Sequence, residues 1–522
     1  MTATFSSSVP ENASGGNRSP QGSPGHLTSG RLLARNVIWN IAGTCSPIVV
    51  AIICLPILKR SLGTERLGVI SLAWVVVGYF GMFDLGLSRA LTKLVAEKLG
   101  QKRAPEIIPI IWTSLSLLAG IGVIGALVAW RLTPWIVEGL LRVPLDLQRE
   151  TLAGFYWISA SIPFILITAG LRGVLEALQR FRLATWIRIP MGIFSYAGPV
   201  AILPFTNNLG PIMAVLVLGR FFGTVAHAWA TFYALPDLLH HFSFQRSSVR
   251  PLISFGSWMT VSNIVGPLMV TFDRFVIGAI ISLSAVAYYA VPYEAVMKVA
   301  LIPLALMGVL FPAFSTAGAL DRSRLVLLCD AATRYLFILL FPIVLVIVAF
   351  APEGLRLWLG LDFALKSTAV ARWLAVAVFI NAQAQIPFAH LQSAGRPDIT
   401  AKLHLSEVLI YAAMLFSLVH VMGISGAALA WALRVTLDAV LLFIFSHRLL
   451  PENKIVFPRL PLMMVIALAA FGLAIVPMGL TLKFVVVFSV AMIGVVGSWL
   501  WLLSEREKVA LQVRLQRLET NK

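Results

Sequence analysis

Long apolar segments recur along almost the whole chain, and they limit its fold more than any other feature. About fourteen of them have the roughly 20 residues that a membrane-spanning helix needs. They lie near 34–58, 67–92, 107–130, 153–174, 184–206, 210–234, 251–272, 285–312, 325–350, 370–391, 399–420, 424–446, 461–481 and 484–503. Only 12% of the 522 residues are charged, against about 25% in soluble domains. The sequence therefore predicts an all-α integral membrane protein.

The two ends of the chain differ from this apolar part. Residues 1–30 are rich in Ser, Gly, Pro and Asn, which predicts a disordered tail and lacks the pattern of a signal peptide. Residues 505–522 place Leu511, Leu515 and Leu518 on one helical face. They predict either a short amphipathic helix on the membrane surface or a solvated helical tail.

Loop charge predicts the orientation of the chain in the membrane. Most Lys and Arg residues fall in loops on the side of the N-terminus. Because cytoplasmic loops carry the excess of Lys and Arg, both termini are expected in the cytoplasm.

The two halves of the chain resemble each other. Arg180 and Arg396 occupy equivalent turns between spans, and Arg220 and Arg434 occupy equivalent helical positions. A unit of about six helices starts and ends on the same side, so the repeat is parallel and leaves a cavity between two lobes. The predicted divisions are an N-lobe at 31–240, a C-lobe at 241–450, and two additional helices at 451–504.

Charged residues interrupt several of these spans. Inserting one charged side chain at the middle of a membrane helix costs about 2.5–3.5 kcal/mol. In "PYEAVMKVA", residues 292–300, Glu294 and Lys298 are four apart, so they share a helical face and can pair. These two residues and Arg89 favour a wet cavity that holds an anion. The full set of candidate cavity residues is Arg35, Asp84, Arg89, Glu294, Lys298 and Arg434.

Two further charged pairs have a different favoured interpretation. Arg434 and Asp438 are four residues apart, and Asp273 and Arg274 are adjacent. For both pairs, structural contacts between helices are favoured over a role in a cavity.

Several other functions are disfavoured by the sequence. The net charge of +18 is spread over many short loops without an aromatic-rich basic patch, so nucleic acid is not an expected partner. The three cysteines form no CxxC motif, which predicts no metal site. No GxxxxGK phosphate-binding loop occurs. The longest outside loops, near 131–152 and 351–369, leave little room for a catalytic domain, so we expect a transporter without a cofactor.

Three stretches resemble the bacterial polysaccharide flippases of the Wzx type. They are 36–97, which contains "GMFDLGLSRALTK", 253–315, which contains "PYEAVMKVA", and 391–434, which opens with "LQSAGRPDIT". The resemblance implies about fourteen helices in two lobes that work by alternating access. It implies a substrate of undecaprenyl diphosphate carrying an oligosaccharide repeat unit, moved from the inner to the outer leaflet of the bacterial inner membrane.

The resemblance also has implications for individual residues and partners. The family's cavities are cationic, and the matching positions are Arg35, Asp84, Arg89, Glu294 and Lys298. Asp84 or Glu294 is a candidate for coupling a proton gradient to transport. The expected partners are the lipid-linked glycan, the bilayer and a polysaccharide polymerase.

Other functions remain open at the level of sequence. Two alternatives belong to the same superfamily, namely a cation-coupled exporter of small molecules and a flippase of peptidoglycan precursors. The alternatives in another class are a polyprenyl-linked glycosyltransferase, or a polysaccharide polymerase or ligase. Such an enzyme needs a tight acidic motif outside the membrane, which Asp146, Glu150, Glu353 and Asp362 do not form. A structural scaffold has little use for buried charges.

Overall fold

The computed structural model describes residues 30–80, 84, 86–101, 104–178, 180–247, 249–250, 269, 271–304, 306–307, 314, 322–394, 396–449 and 460–497. The predicted tails at 1–30 and 505–522 therefore lie outside the described residues, apart from Gly30, and so does most of the predicted span 251–272. The side chains of 30–46, including Arg35, are also outside the description.

All regular secondary structure in the described ranges is helical, which confirms the all-α membrane class. The helices are α1 (Gly30–Phe80), α2 (Leu87–Gly100), α3 (Ile107–Pro134), α4 (Leu145–Ala177), α5 (Phe181–Ile202), α6 (Leu209–Ala234), α7 (Asp237–His240), α8 (271–280), α9 (Leu283–Met297), α10 (Arg322–Leu359), α11 (Leu361–Ser393), α12 (Pro397–Leu449), α13 (Leu460–Ile475) and α14 (Leu480–Gly497). Within these ranges, eight helices are long and apolar enough to cross a membrane.

Two glycines divide the longest helices. In α1, Gly63 has a φ of 77°, and in α12, Gly423 has a φ of 61°. Glycine reaches this left-handed region without the steric penalty that a Cβ atom imposes. The kinks fall between the first and second predicted spans and between the eleventh and twelfth, so α1 and α12 each hold two spans.

The structure differs from the prediction at the second span and at two loops. The span expected at 67–92 is interrupted between Phe80 and Leu87, where Gly86 has a φ of 69°. The loop expected at 131–152 is mostly helical, because α3 continues through a π-helical turn at Trp135–Leu140 and α4 starts at Leu145. The loop expected at 351–369 is reduced to Gly360 between α10 and α11. The helices extend beyond the apolar runs because the backbone hydrogen bonds of a helix can continue through polar sequence.

The helices pack mainly within each half of the chain. Helices α3, α4 and α6 pack together in the first half, and α10, α11 and α12 pack together in the second. Helix α9 joins the halves because it contacts both α1 and α11. Helices α13 and α14 pack on α10, on the outside of this arrangement.

One end of the molecule holds the two halves together through polar contacts. The Lys59 ammonium lies 2.7 Å from Asp362 Oδ1 and donates to the carbonyl of Leu359 at 3.0 Å. Trp358 donates its ring N–H to the carbonyl of Ile52 at 2.7 Å. The space between the halves is therefore closed at this end.

Candidate substrate cavity

A cavity of about 460 Å³ lies between the two halves, below the closed end. Helices α1, α5 and α6 form its wall on the first half, and α8 and α9 form its wall on the second. Its polar lining consists of Ser71, Ser195, Tyr196, Arg220, Thr271, Arg274 and Glu294. A charged cavity between two halves is the arrangement that a transporter needs for alternating access.

The second-half wall carries a chain of alternating charges. Glu294 Oε1 accepts from Arg274 at 3.2 Å, and Glu294 Oε2 accepts from Lys298 at 3.4 Å. The pairing of Glu294 with Lys298 is the one that their spacing predicts. The Arg274 side chain is 3% exposed, whereas those of Glu294 and Lys298 are 42% and 36% exposed.

Arg274 is held in place from the protein side. Its backbone N–H donates to Asp273 Oδ1 at 2.7 Å, and Tyr289 donates its hydroxyl to Asp273 Oδ2. The guanidinium lies 4.3 Å from the centre of the Tyr293 ring, a cation–π contact. Asp273 and Arg274 are both buried, so these contacts fix the position of the guanidinium on the wall of the cavity.

The first-half wall adds positive charge and aromatic surface. Arg220 donates to Ser195 Oγ at 3.5 Å, and Trp74 donates to the carbonyl of Ser195 at 3.2 Å. The rings of Trp74 and Tyr196 lie 4.9 Å apart. A second cavity of about 320 Å³ shares Arg220 and reaches Arg172 on α4. Arg220 therefore borders both cavities, whereas Arg172 borders only the second.

The structure brings together only part of the predicted site. Glu294 lines the cavity and holds Lys298. Asp84 lies in the break before α2, where it accepts from the backbone N–H groups of Gly86 and Ser88. Arg89 is exposed on α2, and Arg35 belongs to the part of α1 whose side chains are outside the description.

Arg434 lies in a different buried cluster, on α12. Its guanidinium is 3.8 Å from Glu407 and 3.4 Å from the sulfur of Met269. The expected partner, Asp438, faces His404 at 3.7 Å. Glu407, three residues after His404 on the same helix, did not stand out in the sequence as a partner for Arg434.

Arg220, Arg274, Trp74 and Tyr196 were not among the predicted cavity residues. Arg220 and Arg274 were noticeable as charges inside apolar spans, and that signal was available in the sequence. Trp74 and Tyr196 carried no such signal, because aromatic residues are common in every membrane helix. Among the described residues, no group of three His, Cys, Asp or Glu side chains could hold a metal ion.

Comparisons with known proteins agree with this architecture. A family model described as "Polysaccharide biosynthesis protein" matches residues 33–317. A Shigella flexneri protein named "Putative O-antigen transporter" is 31% identical over 411 residues, covering 78% of this chain and 96% of the relative.

Solved transporter structures share the fold. A lipid II flippase, MurJ, in an inward closed conformation has a TM-score of 0.68 at 13% identity, covering 88% of this chain and 98% of the flippase. A multidrug resistance MATE family transporter in an inward-facing conformation has a TM-score of 0.67 at 16% identity, covering 80% and 94%. The chain therefore belongs to the polysaccharide biosynthesis protein family and has the fold of transporters of the MOP superfamily.

Proposed function

We propose that the protein moves undecaprenyl-diphosphate-linked oligosaccharide repeat units from the inner to the outer leaflet of the bacterial inner membrane. The observation that carries this proposal is the cavity between the halves, where Arg220 and Arg274 supply positive charge and Glu294 pairs with Lys298. Two phosphoryl groups are a suitable ligand for such side chains, because charge-assisted hydrogen bonds to phosphate are strong. The name of the Shigella flexneri relative, an O-antigen transporter, supports a lipid-linked glycan as the cargo.

Transport by alternating access fits the closed end of the molecule. With both termini in the cytoplasm, as loop charge predicts, the contact of Lys59 with Asp362 lies on the outer side. The cavity is then shut toward the outside, and the substrate enters from the inner leaflet. On this proposal the N-lobe at 31–240 and the C-lobe at 241–450 rock against each other, with 451–504 as an addition.

Proton coupling is a further part of the proposal. Of the two candidates, Glu294 lies in the cavity, where a change of protonation alters the charge that the substrate meets. Asp84 bonds to backbone N–H groups at the start of α2. Arg35 and Arg89 are proposed as further substrate-binding residues, and a polysaccharide polymerase as the protein that uses the translocated product.

The proposal is tested by following the lipid-linked precursor in cells that lack the gene. We expect the precursor to accumulate on the inner leaflet, and the wild type to restore export. Lys298→Ala should lower export by about tenfold, the equivalent of one charge-assisted hydrogen bond. Lys402→Ala is the matched control, since Lys402 also pairs with a carboxylate one helical turn away, but that carboxylate, Asp398, is not among the residues that line the cavity.

Two results would contradict the proposal. If the precursor reaches the outer leaflet without the protein and stays unpolymerised, the chain acts as a polymerase or transferase. If the accumulating lipid is a peptidoglycan precursor, the chain is a flippase of that lipid.

A further inference from the structure

The basic side chains of the second-half wall are already paired with a carboxylate of the protein. Arg274 and Lys298 are the basic side chains of this wall, and Asp273 and Glu294 are its acidic side chains. Glu294 bridges the two cations, with its oxygens at 3.2 and 3.4 Å. An anion that enters must therefore compete with a carboxylate that belongs to the protein.

The two carboxylates differ in how easily an anion can replace them. Asp273 is fully buried and is fixed by the Arg274 backbone N–H and the Tyr289 hydroxyl. Glu294 is 42% exposed, lines the cavity, and has bonds only to the two cations among its described contacts. Its side chain can rotate away without breaking a backbone contact, so Glu294 is the displaceable anion.

We propose that Glu294 is an internal counter-ion that admits a diphosphate lipid but excludes the singly charged headgroups of membrane phospholipids. This inference rests on the proposed function and deepens it. A phosphodiester headgroup carries one negative charge. When it displaces the Glu294 carboxylate, one single anion takes the place of another, so the exchange gains little Coulomb energy. A glycosyl diphosphate carries two charges on neighbouring phosphoryl groups. It replaces the carboxylate and leaves one charge to interact with Arg220 across the cavity.

Such exclusion has a physical purpose in a bilayer. Anionic phospholipids greatly outnumber a biosynthetic intermediate, so a cavity with two uncompensated cations would be occupied by them. The Glu294 carboxylate lowers the affinity of the cavity for every anion. A doubly charged ligand loses a smaller share of its binding energy to this competition than a singly charged ligand does. Specificity of this kind is obtained by disfavouring the wrong partner.

The test measures binding of a polyprenyl diphosphate lipid to the full-length protein in nanodiscs of phosphatidylcholine with increasing phosphatidylglycerol. For the wild type, we expect the dissociation constant to be nearly independent of the phosphatidylglycerol fraction. Glu294→Gln should bind the diphosphate about tenfold more tightly in pure phosphatidylcholine, because one competing charge-assisted interaction is lost. It should then lose this gain as phosphatidylglycerol is added.

Two further variants complete the design. Glu294→Asp keeps the charge and should behave like the wild type. Glu353→Gln is the matched control, because Glu353 is 40% exposed and pairs with Lys483 away from the cavity lining. It should leave both measurements unchanged, and it reports any general effect of removing a carboxylate.

The possible outcomes separate this inference from the proposed function. If Glu294→Gln stays insensitive to phosphatidylglycerol, or binds the diphosphate more weakly, Glu294 is not an internal counter-ion. If Glu294→Gln does not fold, Glu294→Asp decides, since a charge-retaining variant that becomes sensitive to phosphatidylglycerol also overturns the inference. If the wild type does not bind the diphosphate lipid even in pure phosphatidylcholine, the proposed function itself fails, and the inference fails with it.

Discussion

Asp84 lies in the short break between α1 and α2 and bonds to the backbone at the start of α2. Its Oδ1 accepts from the Gly86 N–H at 2.9 Å, and its Oδ2 accepts from the Ser88 N–H at 3.2 Å. The first N–H groups of a helix have no partner inside the helix, and within a membrane water does not readily supply one. The oxygens of Asp84 therefore have a structural role at the start of α2 as hydrogen-bond acceptors.

Substitutions at Asp84 separate this use from proton coupling. Asn keeps one of the two acceptor oxygens and loses the other, so we expect Asp84→Asn to retain most of the export of the lipid-linked precursor with a small loss of stability. Asp84→Ala removes the cap, at a cost of about 0.5–2 kcal/mol, and should lower both the amount of folded protein and export. Loss of export in a well-folded Asp84→Asn protein would instead support Asp84 as the proton carrier.

Helices α1 and α9 cross at a point where there is no room for a side chain. Gly68 of α1 faces the backbone of Leu283 at the start of α9, and a Cβ at this glycine would overlap the Leu283 carbonyl oxygen. The start of α9 is fixed by Ser282, whose hydroxyl accepts from the Ala285 N–H at 3.1 Å. The two helices that connect the halves thus approach backbone to backbone, as membrane helices with small residues do.

A pair of glycine substitutions tests this close approach. We expect Gly68→Ala to destabilise the protein by about 1–3 kcal/mol, because a backbone carbonyl cannot move aside as a side chain can. Gly120→Ala on α3 is the control, because no atom lies within 4 Å of its added Cβ and alanine is the better helix former. The measurement is the thermal unfolding midpoint in detergent. Equal midpoints for the two variants would argue against the close crossing.

The whole molecule is closed at the end that holds Lys59 and Asp362. Thr64 and Ser284 lie at this same end, with their hydroxyl oxygens 3.4 Å apart across the two halves. The Arg142 N–H donates to the carbonyl of Gly278 at 3.1 Å, which adds a further link. Alternating access requires all of these contacts to separate during each transport cycle.

A disulfide across this end should stop the cycle. In a background without the native Cys45, Cys54 and Cys329, we expect Thr64→Cys and Ser284→Cys together to form a disulfide, because their side chains are within the required reach. Export should fall to background on oxidation and recover on reduction. Each single cysteine serves as a control that oxidation should not affect. Undiminished export by the cross-linked protein would mean that the halves do not separate here.

Local patterns in the sequence were enough to predict the class of fold and some contacts of the candidate site. The length of each apolar run predicts a helix in the membrane, and the spacing of Glu294 and Lys298 predicts their contact, because both depend on residues that are near each other in the chain. The break before α2 was not predicted, since the apolar pattern continues through it. The continuation of helix beyond the apolar runs was missed for the opposite reason, because there the apolar pattern ends while the helix continues.

The sequence by itself determined a helical membrane protein with charges inside its spans. Only the tertiary structure decided which charges share a cavity. Arg274 and Glu294 are 20 residues apart, on two different helices, and Arg220 reaches the same space from the other half. Arg434 was one of the candidate cavity residues, although a structural pairing with Asp438 was favoured, and it contacts Glu407 in a separate cluster. The physical reason is that helical periodicity specifies which residues share a face, whereas the neighbour of that face depends on how helices distant in sequence pack together.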